Sequence, residues 1–293
     1  MTTYSAPPRV AAIHDLSCFG RCALTVIIPT LSVMGYQVVP LPTALLSTHT
    51  GGFTDLHFRD LTPDMERISD HFSSLGTTFR SIYSGFLGSV EQIDSVSRFI
   101  DRFGGTPDGS GERPVVLIDP VMGDDGELYS TYTQDLMRGM QTLVRKADMI
   151  TPNVTEACFL TDTPYQNTEE LSDADAMAFV NRLMDRLESF GVAEIVITGI
   201  HLAGGFLANL GRNADGSRFW VRKPRQARSY PGTGDVFASV LLGSFLRSGD
   251  FQAACEHAAA FTATVIKESA PIPTPSREGV ALESHLHLLC KEF

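Results

Sequence analysis

The sequence predicts an α/β protein built on a central, mostly parallel β-sheet. Short apolar runs typical of strands alternate along most of the chain with longer segments whose apolar residues recur at helical spacing. This alternation implies right-handed β-α-β units, which place parallel strands in one sheet and helices on both of its faces. The 293 residues, 43% of them hydrophobic, can bury a core of that size.

The first half of the chain opens on a β-turn-α unit. Arg9–Ile13 is an apolar run that stops at a glycine-containing turn, and Ala23–Met34 carries apolar residues at helical spacing before Gly35. The same reasoning predicts further strands at Gln37–Pro40, Ser81–Ser84 and Val115–Ile118, and helices at Met65–Leu75, Val90–Phe103 and Leu136–Lys146.

The second half continues the alternation and then changes character. Within Gly204–Arg222, two β-rich segments flank Asp215-Gly216, a dipeptide typical of an antiparallel hairpin, here at the edge of the sheet. The other predicted elements are strands at Asp148–Ile150 and Glu194–Thr198, helices at Thr155–Leu160, Ala174–Phe190, Val236–Arg247 and Phe251–Lys267, and a short helix from Val280.

The domain organisation follows from what lies between these elements. Gly104–Arg113 is rich in glycine, proline and serine, but it is only ten residues long and is therefore predicted as a loop. The sequence contains no internal repeat and no domain linker. Residues 1–293 are predicted to form a single domain.

Composition excludes several classes of protein. Lys and Arg number 23 against 34 Asp and Glu, and the resulting formal charge of −11 argues against nucleic acid as a partner. No apolar stretch approaches the ~20 residues of a membrane span. Residues 1–8 lack the features of a secretory signal. The five cysteines are scattered and odd in number, which favours a reducing cytoplasm over a disulfide framework.

A glycine-rich turn runs straight into an apolar helix at Gly232-Thr233-Gly234-Asp235. Glycines allow a tight turn with free N–H groups, and a helix N-terminus adds partial positive charge, so the turn could hold a transferring phosphoryl group. Asp235 would then be a general base for an attacking hydroxyl. An ordinary helix start, with Asp235 favouring the helix dipole, accounts for the same pattern.

Two further segments carry polar residues where predicted strands end. Asn153 and Glu156 have the spacing of a capping box, but the same groups could bind phosphate oxygens and Mg²⁺, and the segment alone does not separate the two interpretations. Asp119 follows a buried strand at its carboxyl end, where open α/β sheets bind ligands. The residues after it, Asp124, Asp125 and Glu127, are typical of a solvated acidic turn.

Polar residues beside aromatic ones near the N-terminus suit a small planar substrate, which needs stacking and a few hydrogen bonds. They lie in His14–Gly20 and Ser47–Phe53. A lone histidine is more often structural, and that is the interpretation for His14. The sequence has no P-loop, no dinucleotide-binding G-x-G-x-x-G after its first strand and no G-x-S-x-G elbow, which leaves phosphoryl transfer without a P-loop lysine.

Five motifs in this order resemble the pyridoxal and pyridoxamine (vitamin B6) kinases of the ribokinase superfamily, over nearly the whole chain. The motifs are Ser47-Thr48-His49-Thr50-Gly51, Tyr83-Ser84-Gly85-Phe86-Leu87-Gly88-Ser89, Asp119-Pro120-Val121-Met122-Gly123, Thr151-Pro152-Asn153 with Glu156, and Gly232-Thr233-Gly234-Asp235. The resemblance implies a ribokinase-like three-layer α/β/α sandwich. It also implies ATP-dependent phosphorylation of the hydroxymethyl group of pyridoxal, pyridoxamine or pyridoxine.

The resemblance further implies a role for each candidate site residue. Asp235 would be the catalytic base, with Gly232, Thr233 and Gly234 forming the anion hole. Asp119 and Glu156 would hold Mg²⁺. The nucleotide would be bound by Asp119, Tyr129, Asn153, Thr198, Thr233 and Gly234. The substrate pocket would be lined by Asp15, Phe19, His49, Thr50 and Phe86. Members of the family commonly form homodimers and use Mg²⁺, often with a monovalent cation such as K⁺.

Two positions depart from the better-known pyridoxal kinases. Phe86 stands where those usually carry a tyrosine, so it can stack but lacks the hydroxyl. Asp15 stands where they usually carry a serine, and it is similar to the first-loop aspartate of the hydroxymethylpyrimidine kinases of thiamine synthesis. Those kinases are therefore the alternative function. A non-catalytic B6 binder on the same fold is a third hypothesis, against which the intact glycine turn and Asp235 argue.

Overall fold

The computed structural model of the protein describes residues 6–108 and 111–290. Its main strands form a nine-stranded sheet in the order β11-β10-β9-β8-β5-β4-β1-β2-β3. They are β1 (Arg9–Phe19), β2 (Gln37–Thr48), β3 (Phe58–Asp60), β4 (Ser81–Ser84), β5 (Val115–Ile118), β8 (Met149–Ile150), β9 (Glu194–Leu202), β10 (Phe206–Arg212) and β11 (Arg218–Pro224). A separate two-stranded hairpin pairs β6 (Gly123–Asp124) with β7 (Glu127–Leu128).

The centre of the sheet is parallel and both of its described edges are antiparallel. Strands β9, β8, β5, β4, β1 and β2 pair in parallel. The β10–β11 hairpin forms one edge, and β3 lies antiparallel to β2 at the other. The predicted mostly parallel sheet with an antiparallel edge hairpin is confirmed. Strand β3 was not predicted because its three residues are all exposed and carry no apolar pattern.

Helices cover both faces, which gives the predicted three layers. The helices are α1 (Leu24–Val33), α2 (Thr62–Ser74), α3 (Val90–Phe103), α4 (Gln134–Leu143), α5 (Val154–Leu160), α6 (Asp173–Leu187), α7 (Thr233–Ser248) and α8 (Phe251–Ser269). Buried residues of α2 to α6 pack on one face and those of α1, α7 and α8 on the other. Successive strand residues alternate between the two cores, as Ala11 and Ala12 do, because side chains point to opposite faces with a period of two. No described helix is both long and apolar enough to cross a membrane.

Element boundaries agree with the predictions where the sequence pattern is clean. The bounds of β4, α3 and β5 are those predicted. Strands β1 and β2 continue well beyond the predicted ends, because the two strands pair with each other up to Phe19 and Thr48. The predicted helix from Val280 is wrong. Ala281 N–H donates to the Ser269 hydroxyl oxygen at 2.8 Å, and the helical turn begins only at Leu286. Two residues of the predicted Gly104–Arg113 loop, 109 and 110, lie outside the described residues.

An aromatic cluster fixes the packing of α2 and α3 on the sheet. The fully buried Phe79 ring lies 5.7 Å from the ring of Phe99, 5.3 Å from that of Phe103 and 6.3 Å from that of Phe72, between centroids. We expect Phe79→Ala to lower the free energy of unfolding by about 3–5 kcal/mol, because it leaves a cavity that the cluster cannot fill. Urea denaturation measures this. The control Leu75→Ala, at a side chain that is 64% exposed, should cost less than ~0.5 kcal/mol, and equal losses would contradict the prediction.

Candidate active site

The candidate residues gather at one edge of the sheet, where the parallel strands end. Asp15 lies in the last part of β1, His49 directly follows β2, and Asp119 directly follows β5. Parallel strands bring their carboxyl ends to the same edge, which is where open α/β sheets bind ligands. The first turn of α7, which carries Asp235, reaches the same edge, since the Asp235 carboxylate contacts the loop after β1.

Asp235 is held by a backbone amide. Its Oδ2 accepts a hydrogen bond from Ala23 N–H at 2.8 Å. Burial raises the pKa of Asp235 to about 7, the Ala23 hydrogen bond opposes this, and the carboxylates of Asp119 and Asp15 add to the rise. A carboxyl group with a pKa near neutral can accept and return a proton, as a general base must.

The glycine turn before Asp235 is shaped by a close backbone contact. Gly232 has φ of 80°, and a Cβ there would collide with the carbonyl oxygen of Arg21, so the position requires glycine. Gly234 faces open space instead. The Thr233 hydroxyl donates to Tyr230 O at 3.0 Å, so it is used within the protein. No side chain caps α7, which leaves the N–H groups of its first turn available to an anion.

Two buried carboxyl groups, Asp119 and Glu156, lie near this turn. Burial raises the pKa of Asp119 to about 6, against a 2.8 Å hydrogen bond donated by the Thr151 hydroxyl. Burial and the Asp119 carboxylate raise the pKa of Glu156 well above its usual value. The described residues place no arginine or lysine in an ion pair with either group.

The sequence left two interpretations of Asn153 and Glu156 open, and the capping box is present. Glu156 N–H donates to Asn153 Oδ1 at 2.8 Å, and Asn153 N–H donates to Glu156 Oε2 at 2.8 Å. Met122 N–H donates to Glu156 Oε1 at 3.2 Å, and the Asn153 amide donates to Gly123 O at 2.9 Å. These bonds fix the Glu156 carboxylate beside Asp119 without using all of its lone pairs. Structural capping and metal binding are therefore compatible here.

The oxygen donors of this pair suit Mg²⁺. Hard cations prefer carboxylate oxygen, and Mg²⁺ usually takes one or two carboxylates and completes its shell with water and substrate phosphates. Within residues 6–108 and 111–290, no group of three or more metal-ligating side chains is formed. Asp119 and Glu156 therefore fit a metal that arrives with a nucleotide better than a metal bound by protein alone.

The predicted substrate residues lie around the end of β1 and the loop after β2. Asp15 is buried and accepts a 2.9 Å hydrogen bond from the Ser17 hydroxyl, and burial raises its pKa. Phe19 is 51% exposed, and its ring stands edge-on to Phe53, with centroids 6.1 Å apart. The His49 ring also stands edge-on to Phe53, at 5.0 Å. Phe53 therefore packs against both predicted rings, and Phe19, His49 and Phe53 together form one aromatic wall.

His49 is held by hydrogen bonds on both ring nitrogens. Gly51 N–H donates to Nδ1 at 3.1 Å, so Nδ1 is the acceptor and Nε2 carries the proton. Nε2 then donates to Arg277 O at 2.6 Å. The ring can line a pocket with its face and edge, but both of its nitrogens are already used.

Phe86 and His14 are linked through Gly85. A Cβ on Gly85 would collide with the His14 ring, which packs edge-on against Tyr83 with centroids 4.3 Å apart. Burial lowers the pKa of His14 to about 3, against a hydrogen bond with the Tyr83 backbone, so the ring is neutral at physiological pH. The structural interpretation of His14 is supported. Its packing sets the path of the backbone that carries Phe86, whose ring lies 6.5 Å from that of Tyr132.

The remaining predicted residues lie further out. Thr50 is exposed, and Tyr129 is 40% exposed where it follows the β6–β7 hairpin. Thr198 is half-buried in β9, and its N–H donates to Pro152 O at 2.9 Å, next to Asn153. Residues 124, 125 and 127 are exposed in the β6–β7 hairpin, as expected of a solvated acidic turn.

Sequence reasoning missed the groups that hold the carboxylates and the His49 ring. They are the Ser17 and Thr151 hydroxyls, the Ala23 amide and the Arg277 carbonyl. Two of these are backbone groups, whose partners leave no trace in residue identity. For Ser17 a signal existed, because it lies two residues from Asp15, whereas Thr151 lies in a different motif from Asp119, the carboxyl group it supports.

The raised pKa of Asp235 has a consequence for stability. Between about pH 4 and pH 7 the unfolded chain has lost the proton that the folded site keeps, so stability falls as pH rises through this window. We expect Asp235→Asn, which still accepts from Ala23, to raise Tm at pH 8 by ~2–4 °C or more. The gain should be much smaller at pH 4.5. Differential scanning fluorimetry at both pH values measures this.

The control for that measurement is Asp94→Asn, at an exposed carboxylate on α3. It should change Tm little at either pH. A gain of equal size at pH 4.5 and pH 8 for Asp235→Asn would mean that burial of the charge is not its cause.

Comparisons with known proteins indicate the family of this chain. The family model for phosphomethylpyrimidine kinases matches residues 28–276. A Bacteroides thetaiotaomicron protein, provisionally assigned as a phosphomethylpyrimidine kinase and crystallised with pyridoxal, is 37% identical, with a TM-score of 0.86 over 97% of this chain and 96% of that one. The pyridoxal kinase of Lactobacillus plantarum is 28% identical, with a TM-score of 0.84 over 96% of both chains. The pyridoxal kinase of Dictyostelium discoideum is 26% identical over 89% of this chain and 86% of its own length.

These matches confirm the expectation drawn from the five motifs. The family match covers most of the chain, and the similar structures share the ribokinase-like arrangement of a mostly parallel sheet between two helical layers. The chain therefore belongs to the phosphomethylpyrimidine kinase family, and it is a ribokinase-like kinase related to the pyridoxal kinases.

Proposed function

We propose that this protein is an ATP-dependent kinase that phosphorylates the 5′-hydroxymethyl group of a vitamin B6 form. The observation that carries the proposal is Asp235, a carboxyl group with a pKa near 7 at the uncapped glycine turn of α7, beside an aromatic wall and two further buried carboxyl groups. That arrangement supplies a base, an anion hole and a place for a planar ring. The similarity to pyridoxal kinases, and to a relative crystallised with pyridoxal, supports this substrate class.

The geometry divides the work of phosphoryl transfer between named groups. Asp235 Oδ2 is bound to the Ala23 amide, so Oδ1 is the oxygen available to accept the proton of the substrate hydroxyl. The hydroxyl oxygen then attacks the γ-phosphorus in line while the bond from that phosphorus to its bridging oxygen breaks and ADP leaves, and the free N–H groups of residues 232–234 stabilise the charge on the phosphoryl oxygens. Removal of the proton as the bond forms avoids a cationic intermediate.

We propose that Asp119 and Glu156 hold Mg²⁺ when it binds with ATP. The metal would neutralise negative charge on the phosphates. Without it, a nucleotide would bring further negative charge to an edge that already holds buried carboxylates. Tyr129, Asn153 and Thr198 line the nucleotide side in this proposal, and K⁺ is the expected monovalent cation.

The substrate side is formed by Phe19, Phe86 and the His49 ring, with Phe53 added by the structure. These rings offer stacking surfaces to a pyridine. Asp15 is the carboxyl group among them, since both ring nitrogens of His49 already make hydrogen bonds. A carboxylate there would favour a substrate with a protonated ring nitrogen or amine, such as pyridoxamine.

One specific observation favours a second candidate. The matching family model is that of the phosphomethylpyrimidine kinases, and Asp15 stands where hydroxymethylpyrimidine kinases also carry an aspartate. The same base and anion hole would serve that reaction. A non-catalytic B6 binder is less favoured because a binder does not require Asp235 at the anion hole.

We further propose that the chain acts as a single kinase domain, forms a homodimer and works in the cytoplasm without nucleic acid as a partner. Five free cysteines fit a reducing compartment. The charge of −11 opposes binding to a phosphate backbone.

In the first experiment, purified protein and Mg-ATP are incubated in parallel reactions with pyridoxal, pyridoxamine, pyridoxine and hydroxymethylpyrimidine. We expect turnover of a B6 form, and we expect Asp235→Asn to lower kcat by about 10²–10⁴ while the KM for ATP stays within about twofold, because the amides remain in place. Asp94→Asn is the matched control. Preference for the pyrimidine would move the protein to thiamine synthesis, and tight B6 binding without turnover would indicate a binder.

A second prediction concerns Asp15. Asp15→Ser should lower the ratio of kcat/KM for pyridoxamine to kcat/KM for pyridoxal by roughly tenfold, which corresponds to about 1.4 kcal/mol of lost charge interaction. Steady-state kinetics with both substrates measures the ratio. Ser17→Ala removes the hydroxyl that donates to Asp15 but keeps the charge, and it should leave the ratio near that of the natural protein. An unchanged ratio in Asp15→Ser would rule out this role.

A further inference from the structure

We propose that Arg21 is a positioning residue for Asp235, and that it acts by tying the C-terminal strap to the loop whose amide holds that base. The strap is defined here as residues Ser276–Glu283. The inference rests on the proposed function for the role of Asp235, but the contacts that define it do not.

Arg21 binds the strap with both its backbone and its side chain. Arg21 N–H donates to Glu278 O at 3.0 Å, and Nη1 donates to the same oxygen at 3.3 Å. Nε donates to Glu283 Oε1 at 2.7 Å and to Oε2 at 2.9 Å. A residue held by a backbone bond, a bond from its guanidinium and an ion pair has little freedom to move relative to the strap.

The carbonyl of Arg21 is enclosed between two glycines. A Cβ on Gly232 would collide with this oxygen, and a Cβ on Gly279 would lie 2.7 Å from it. Gly232 belongs to the anion hole and Gly279 to the strap. The backbone of Arg21 is therefore the layer that separates the strap from the catalytic turn, and its position sets how closely the two approach.

Two residues after Arg21, the chain makes the bond that orients the base. Ala23 N–H donates to Asp235 Oδ2 at 2.8 Å, and Ala23 has φ of 46° and ψ of −131°, a conformation that an alanine rarely adopts. Such a conformation persists only where the surrounding structure holds it in place. The anchoring of Arg21 on the strap, together with the start of α1 at Leu24, supplies that restraint on both sides of Ala23.

The effect on Asp235 runs through the amide and not through the charge of Arg21. The titratable groups that act on Asp235, or on which it acts, are Asp119, Asp15, Cys22, Tyr83 and Tyr129, from the ends of β5 and β1, the following loop, β4 and the hairpin. Arg21 is not among them. Its guanidinium points to Glu283 instead.

The same strap also contacts the aromatic wall. Arg277 O accepts the bond from His49 Nε2, and the Arg277 guanidinium lies over the Phe53 ring, 5.0 Å from its centroid. The strap therefore contacts the loop after β1 through Glu278 and the aromatic wall through Arg277, and these two residues are adjacent.

The test compares Arg21→Met with Arg21→Lys, Glu283→Gln and the control Arg98→Met, which breaks an exposed Arg–Glu pair between α2 and α3. The first readout is hydrogen exchange of the Ala23 amide in protein labelled with ¹⁵N-alanine. We expect exchange at least tenfold faster in Arg21→Met, a smaller increase in Glu283→Gln, partial recovery in Arg21→Lys and no change in Arg98→Met.

The second readout is the pH profile of kcat. The Ala23 hydrogen bond lowers the pKa of Asp235, so weakening it should move the acid limb of the profile to higher pH in Arg21→Met. The kcat at pH 7 should fall about tenfold, with the KM for ATP unchanged.

The two readouts separate the failure of this inference from the failure of the proposed function. If the natural protein phosphorylates a B6 form but Arg21→Met leaves both Ala23 exchange and the pH profile unchanged, the positioning role is overturned and the function stands. If the natural protein turns over no offered substrate, the function fails, and Ala23 exchange alone decides the inference. Should Arg21→Met not fold, Glu283→Gln keeps the Arg21 backbone and stem and decides the question by the same exchange measurement.

Discussion

The edge of the sheet where the parallel strands end must accommodate four buried carboxyl groups, those of Asp15, Asp119, Glu156 and Asp235. Each loses hydration, several raise one another's pKa, and among the described residues none has a cationic side chain as an ion-pair partner. Such groups are held by neutral donors instead: the Ser17 and Thr151 hydroxyls and the backbone N–H groups of residues 23, 122 and 153. Burial of these groups therefore costs the folded state free energy at this edge, and a bound cation would offset part of that cost.

Two glycines allow segments of the site to pack closely against each other. Gly232 packs on the carbonyl of Arg21, and Gly85 packs on the ring of His14, at distances that exclude any side chain. The first contact sets the catalytic turn against the loop after β1, and the second sets the strand end that carries Phe86. In both places the absence of a Cβ lets two segments of the site approach closely, so the arrangement of the site depends on packing one layer beneath it.

Much of the fold and part of the site could be predicted from the sequence. Strands β4 and β5 and helix α3 have clean periodic patterns with clear boundaries, and Asp119 and Asp235 follow a buried strand and a glycine turn, which predicted their position at the edge where the parallel strands end. Strands β1 and β2 were predicted too short because local pattern is interrupted by His14 and Asp15 in β1 and by Pro40 and Pro42 in β2, although the two strands pair beyond these residues. The segment after Val280 was predicted as a helix because local pattern does not reveal a bond to Ser269. The partners of His49 and Asp235 are backbone groups 228 and 212 residues away, which residue identity cannot indicate.

The strap also bears on when the site can exist during synthesis. Arg21 meets Glu278 and Glu283 across separations of 257 and 262 residues, so these contacts join the beginning of the chain to its last described part. Domains grow from the N-terminus as they leave the ribosome, and contacts of long sequence separation form late. All strands of the sheet precede the strap in the chain. A nascent chain can therefore complete its sheet before the strap is available to the loop after β1, so the contacts of Arg21 form later than the strands.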